Sequence, residues 1–428
     1  MNQHGVIQST VIGRREASST PPHLGNKVER NFNELPVVGS RKLVRFSPAD
    51  NLEGRMLLHF NSVLGRRCDH VLVLAILLIS PPFSAPLARG DENARPAVGA
   101  IRWDGWLVDG TVGHAVGKAL TPPQWRYRLP FYAKVREDGS PEMRGDTPEV
   151  MTAEIAAAKT AHLDYWAFLA YDEADPMNRG LQLYLANPRR ADVHFCIISE
   201  TARWQRSNAA ALAERFAKLM AEPGYQRVAG GRPLFFFLHH ATEPVTNAWG
   251  GPEGFREAVD TLKAAASAHG LPAPYLAAMS YDITAARKLV VGAGLDALSA
   301  YAFQRGDKQA PYSKLTGDLQ AFWEIQRSTR TAVIPLAMAG WDRRPRVENP
   351  MPWEYFGGSI DQYYETATPD QVADHVHTAV QWAQSHAAEC PAQAVIIYAW
   401  NEFDEGGWLC PTLTEGDARA QALGRVLK

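Results

Sequence analysis

Eight short β-rich runs recur along the last ~330 residues, each followed by a stretch of helical character, and this alternation limits the fold more than any other feature of the chain. The runs are residues 98–103, 164–171, 192–198, 233–238, 275–279, 295–301, 331–338 and 394–400. Most read as continuous apolar segments rather than as strict apolar–polar alternation, the pattern of strands buried on both faces, as in a parallel sheet. The segments between them carry helix punctuation. Thr147-Pro148-Glu149 offers an N-cap, a first-turn proline and an acid for the helix dipole. Thr368-Pro369-Asp370-Gln371 spells a capping box, and His269-Gly270 supplies a glycine stop. Eight strand–helix units predict an α/β protein of the (β/α)8 TIM barrel class over residues 97–428, whose usual size is about 250 residues plus insertions. A doubly wound open sheet competes, but no glycine fingerprint follows the first strand. The long first loop, residues 104–144, has a strand-like piece at 128–135 and is expected to fold over the barrel mouth.

The segments before the barrel read differently. Residues 1–55 mix Gly, Pro, Ser, Asn and charges without periodicity, as a disordered N-terminal extension or a mis-started leader would. Residues 56–90 resemble a signal peptide: Arg66 and Arg67, an apolar run at 71–79, helix-breaking Pro81 and Pro82, then the small residues Ser84, Ala85 and Ala88. That run is shorter than the ~20 residues needed to span a bilayer. The expectation is a secreted or periplasmic protein without stable membrane insertion; a buried element of the fold is the alternative for this run. Lys plus Arg number 44 against 46 Asp plus Glu, which leaves no basic surplus to attract nucleic acid. Of four cysteines, Cys68 falls in the signal-like segment. Cys196, Cys390 and Cys410 are expected to be free thiols, because Cys390 and Cys410 flank the last strand at too great a separation for a bridge.

In a barrel of this class the residues that end the strands share one cavity. Here they include Trp103, Asp104, Tyr171, Glu200, His239, His240, Tyr281, Tyr301, Trp341, Trp400, Asn401 and Asp404, with the pair Glu402 and Glu405. Aromatic faces beside polar acceptors suit a carbohydrate substrate, which offers C–H faces for stacking and hydroxyls for hydrogen bonds. Many of the same rings would serve equally as caps on the core. Glu402 and Glu405 follow directly on the last apolar run, and glycosidic bond cleavage requires one protonated and one ionised carboxyl. A solvated acidic turn capping the last helix is the alternative for that pair. No metal or other cofactor is expected, since His239 and His240 point apart on a strand and Glu243 lies in a loop.

The segment Trp400-Asn401-Glu402-Phe403-Asp404-Glu405-Gly406 resembles the W-N-E-W-x-E-G signature of glycoside hydrolase family 99 and of the related WbsX-like proteins of bacterial polysaccharide loci. Ile101-Arg102-Trp103-Asp104 and Leu129-Pro130-Phe131-Tyr132 resemble the latter group. The resemblance implies a (β/α)8 barrel and a retaining endo-acting α-mannosidase. It implies that Glu402, as base, takes the proton of the sugar 2-hydroxyl to form a 1,2-anhydro intermediate, and that Glu405, as acid, protonates the leaving oxygen. The chain departs from the pattern at Asp404, where the signature often has histidine, and at Cys410-Pro411. A glycosyltransferase of polysaccharide assembly and a non-catalytic carbohydrate-binding barrel are the alternative functions; the oligomeric state is left open.

Overall fold

The structure is a computed structural model that describes residues 95–107, 110–354 and 358–428; the leader, the signal-like segment and Cys68 lie outside the described residues. Eight parallel staves form the sheet: β1 (Ala97–Arg102), β2 (Tyr165–Leu169), β3 (His194–Glu200), β4 (Arg232–Leu238), β5 (Tyr275–Met279), β6 (Ala297–Ser299), β7 in two halves (Ala332–Val333 and Leu336–Met338) and β8 (Ala394–Tyr398). Each pairs with the next in chain order, and β8 returns beside β1 with Ala97 opposite Ala394. The ring closes across β7. Its first half pairs with β6 and its second with β8. Pro335 sits at the break, where it has no N–H to give, yet its carbonyl still accepts from Ile396 N at 3.1 Å. The fold is therefore the (β/α)8 barrel expected from the alternation.

Burial explains why the strands were legible. Phe235, Phe236 and Phe237 on β4 and Ile396 and Ile397 on β8 are all fully buried, whichever face they take. Where β1 meets β2, a Cβ on Gly99 would lie 2.2 Å from the Tyr165 ring, so only glycine fits. The Tyr165 hydroxyl crosses to Val395 O at 2.9 Å, tying β2 to β8 beneath β1.

The helix signals act as read. Thr147 Oγ1 accepts from Val150 N at the start of Pro148–Thr160, and Thr368 with Gln371 forms a reciprocal capping box on Pro369–Ser385. Gly270 takes φ 71° just beyond Pro252–Ala268. The strand-like piece at 128–135 is shorter than expected. Pro123–Arg128 is a 3₁₀ turn, Pro130 makes a single antiparallel bridge to Thr412, and Ala133–Val135 pairs in a hairpin with Pro141–Met143. The 3₁₀ turn commits the backbone of Pro123–Arg128 to i→i+3 bonds, so the extended piece begins only at Leu129, whose carbonyl accepts from Leu413 N at 2.9 Å. The loop does cover the mouth: Trp106 Nε1 donates to Asn401 O at 2.7 Å, Arg128 Nη1 to Asp342 O at 2.8 Å and Phe131 N to Pro411 O at 3.0 Å. Cys196, Cys390 and Cys410 are free and buried. No helix of the described residues is long and apolar enough to cross a membrane.

Candidate active site

Regular strand ends at Tyr398, and the chain turns across the mouth in a tight hairpin. Asn401–Glu402 pairs antiparallel with Gly407–Trp408 around a 3₁₀ turn at Phe403–Glu405. Gly406 takes φ 83°, and a Cβ there would stand 2.6 Å from Asp342 N, so the turn requires glycine on two counts. Asp342 N in turn donates to Glu405 O at 2.7 Å, which fixes the hairpin to the loop after β7. Both glutamates are thereby held on backbone that has little freedom.

Their surroundings differ. Glu402 is 3% exposed; its Oε1 accepts from the Tyr301 hydroxyl at 3.0 Å, while Oε2 has no hydrogen-bond partner among the described residues and lies 3.6 Å from Arg346 Nη2. Burial, reinforced by the negative charge of Glu405 and only partly offset by Arg346, pushes Glu402 well above the usual carboxyl range. Glu405 is buried too, but Arg346 Nη1 donates to its Oε1 at 2.5 Å and Arg343 Nε lies 3.1 Å away. Its Oε2 accepts from the Tyr398 hydroxyl. Burial would raise Glu405, yet the two guanidinium groups and the Tyr398 hydroxyl outweigh it, and its carboxyl is held below the usual range. These surroundings favour the proton on Glu402 and the charge on Glu405. The roles implied by the resemblance need the reverse distribution.

Around this pair the structure gathers several of the expected residues. Trp103 donates from Nε1 to the Tyr171 hydroxyl at 2.8 Å and lies under the Arg346 guanidinium, 5.6 Å from ring centre to its carbon. Tyr171 is close enough for the charges of Glu200 and Glu402 both to act on it. Tyr301 and Trp341 pack on Tyr398 at 5.7 and 5.6 Å between ring centres. Asp404 is wholly buried and accepts from Arg346 Nε at 2.8 Å. A cavity of about 130 Å³ opens beside them, lined by Gln304, Trp341, Arg343, Arg346, Met351 and Glu354 among others.

Other expected residues serve elsewhere. Trp400 is buried against Trp166, 5.1 Å between ring centres, and its Nε1 faces Glu154, so it belongs to the core. Asn401 is a brace: Oδ1 accepts from Trp103 N at 2.9 Å, and Nδ2 reaches Asp104 at 3.5 Å. Asp104 pairs with Arg102 at 2.9 Å, and burial, against the pull of Arg102, pushes it up to about 6. Glu200 binds His240 Nε2 at 3.1 Å and Arg203 Nε at 2.9 Å; the His240 bond and the Arg203 charge, against burial, hold it below its usual range. His239 is buried, bonds Thr201 Oγ1 through Nδ1 at 3.1 Å, and is pushed down by burial. Tyr281 is 65% exposed, which leaves it outside the enclosed part of the site. Among the described residues no group of three or more His, Cys, Asp or Glu is arranged to hold a metal ion.

Sequence reasoning missed Arg346, Glu354 and Tyr398 as site residues. The signal that could have found Arg346 is the basic run Arg343-Arg344-Pro345-Arg346 just past β7, and Tyr398 is the polar-tipped residue that ends β8.

Comparison with protein-family models returns no match, and neither does comparison with the curated proteins. Among solved structures the chain is similar to the GH99 endo-alpha-mannosidase from Bacteroides thetaiotaomicron in complex with bis-tris-propane, at TM-score 0.51 and 12% identity over 79% of this chain and 97% of that one. A second structure of that enzyme matches at TM-score 0.47 and 14% identity, over 79% and 96% of the two chains. The GH128 endo-beta-1,3-glucanase from Amycolatopsis mediterranei matches at 0.34 and 15%, over 64% and 94%. The first of these likenesses agrees with the barrel assigned from the strand pairing.

Proposed function

We propose that the chain is a glycoside hydrolase that cleaves an O-glycosidic bond of a glycan between Glu402 and Glu405, with α-mannosides the first substrates to try. The observation that carries this reading is the pair itself: two buried carboxyls on one hairpin at the barrel mouth, whose neighbours favour the proton on Glu402 and the charge on Glu405. Glycosidic cleavage needs one carboxyl to protonate the leaving oxygen and another to carry negative charge at the oxocarbenium-like centre. Trp103, Tyr301 and Trp341 supply ring faces for a sugar ring. The likeness to a GH99 endo-alpha-mannosidase supports the choice of α-mannoside, as does the motif at 400–406. The signal-like segment at 56–90 supports a secreted or periplasmic location, which N-terminal sequencing of the exported protein checks.

The test is hydrolysis of defined α-mannosides and other bacterial glycans by the wild type, Glu402→Gln and Glu405→Gln. General acid–base assistance contributes roughly 10²–10⁴-fold per group, so each variant is expected to lose about that much. Equal rates from all three proteins would refute the assignment. Sugar affinity without turnover in any of them would convert the barrel to a binding protein.

A further inference from the structure

Arg346 is the hub of the mouth. It rides on the short helix Arg344–Glu348 after β7 and is 7% exposed. Its guanidinium donates to Asp404 at 2.8 Å, to Glu405 at 2.5 Å and to Glu354 at 2.6 Å, and stops 3.6 Å short of Glu402. Asp404, fully buried, makes side-chain bonds only to Arg346 among the described residues. A carboxylate with no other contact acts on its neighbour's orientation: it fixes the planar fork so that one edge meets Glu405.

We propose that Arg346, anchored by Asp404, is the positioning residue that decides which glutamate gives the proton, making Glu402 the donor and Glu405 the ionised partner. This deepens the hydrolase reading and rests on it. The charge count at the site carries the argument. Four carboxyls, Glu354, Glu402, Asp404 and Glu405, face two guanidinium groups, Arg343 and Arg346. With all four ionised, two uncompensated negative charges would be crowded at the mouth, where three of the four carboxyls are buried; with one protonated, a single charge remains. The proton settles where cationic contact is weakest. Glu354 touches both arginines, Asp404 and Glu405 are bonded at 2.8 Å or less, and Glu402 has one approach at 3.6 Å plus the neutral Tyr301 hydroxyl. Tyr171, Tyr301 and Tyr398 also face the pair and are pushed up by burial, so they stay neutral; Tyr301 donates to Glu402 and Tyr398 to Glu405. Glu402 then passes its proton to the glycosidic oxygen as the bond to the anomeric carbon breaks and its electron pair leaves on that oxygen. The remaining negative charge of the cluster faces the cationic sugar. Water adds to the anomeric carbon and returns a proton to Glu402.

Two measurements on the full chain test this. Infrared difference spectra at about pH 8, where Asp104 is ionised, read the remaining protonated carboxyls directly: their band is expected to vanish in Glu402→Gln, to persist in Glu405→Gln, and to gain a second component in Arg346→Gln as Glu405 takes up a proton. Arg346→Lys, which keeps the charge, should retain the wild-type pattern even if the glutamine variant folds poorly. Aryl glycosides give the second reading. Glu402→Gln should lose about 10²-fold or more on poor leaving groups yet keep within about tenfold of wild type on activated ones, while Glu405→Gln loses both. A band lost from Glu405→Gln instead, or leaving-group rescue of that variant, overturns the proposal. If the wild type hydrolyses no glycan, the hydrolase reading fails, and the infrared result still decides whether Arg346 sets the protonation of the pair.

Discussion

Replacing Glu154 by glutamine probes the polar tie beneath the mouth. Glu154 projects from the helix Pro148–Thr160 and is 1% exposed. Its Oε2 accepts from Arg102 Nη2 at 2.7 Å, and its Oε1 faces Trp400 Nε1 at 3.3 Å and Cys410 Sγ at 3.5 Å. It thus joins a helix to the ends of β1 and β8. Removing one partner of a buried ion pair costs about 3–5 kcal/mol. Here Asp104 stays beside Arg102, whose guanidinium also lies 4.7 Å from the Trp166 ring centre, and the glutamine oxygen can still accept. The expected loss is therefore about 2–3 kcal/mol, at or below the lower limit of that range.

A second consequence follows from Asp104. Burial is the main reason its carboxyl is pushed from 3.8 to about 6, Arg102 opposes the rise, and the charge of Glu154 adds to it. Between about pH 4 and 6 the native wild type keeps a proton on Asp104 that the unfolded chain has released. Stability contributed by this group is thus present at low pH and falls as pH rises through that window, by about 3 kcal/mol in all. Without the Glu154 charge, Asp104 drops toward its usual range and less is lost. The stability gap between wild type and Glu154→Gln is therefore expected to narrow from about pH 4 to about pH 7. Denaturant titration followed by circular dichroism and tryptophan fluorescence at those two pH values measures it. An unchanged midpoint, or a gap that widens with pH, would refute the reasoning.

Two further substitutions separate the site from the scaffold. Gly406→Ala places a Cβ against the backbone of Asp342 in a left-handed conformation, so it is expected to cost about 1–3 kcal/mol in melting experiments and to reduce turnover more than Glu154→Gln does, because the hairpin carrying both glutamates must shift. Thr368→Ala removes the capping box of Pro369–Ser385 on the outside of the barrel, which should cost about 1 kcal/mol and leave kcat unchanged; an altered kcat would mean that the helix communicates with the mouth.

What the sequence made legible follows from which interactions are local. Strands β4 and β8 were readable because burial on both faces writes an unbroken apolar run, and helix starts were readable because a cap and the backbone N–H that donates to it lie within three residues of each other. β7 was harder to read, since Pro335 divides it and each half answers to a different neighbour. Trp400 was expected at the cavity but faces Trp166, because regular strand stops at Tyr398 and alternation no longer says where a side chain points. The protonation of the glutamate pair depends on partners far away in the chain. By adjacency alone Asp404 looks like an extra negative charge that would push its neighbours up. In the fold it meets Arg346, 58 residues away in sequence, and the two together bring positive charge closer to Glu405 than to Glu402. A run of like charges in a sequence therefore does not predict which member ionises. The deciding quantity is the distance from each oxygen to the nearest guanidinium, here 2.5 Å for Glu405 against 3.6 Å for Glu402, and only tertiary structure sets that difference.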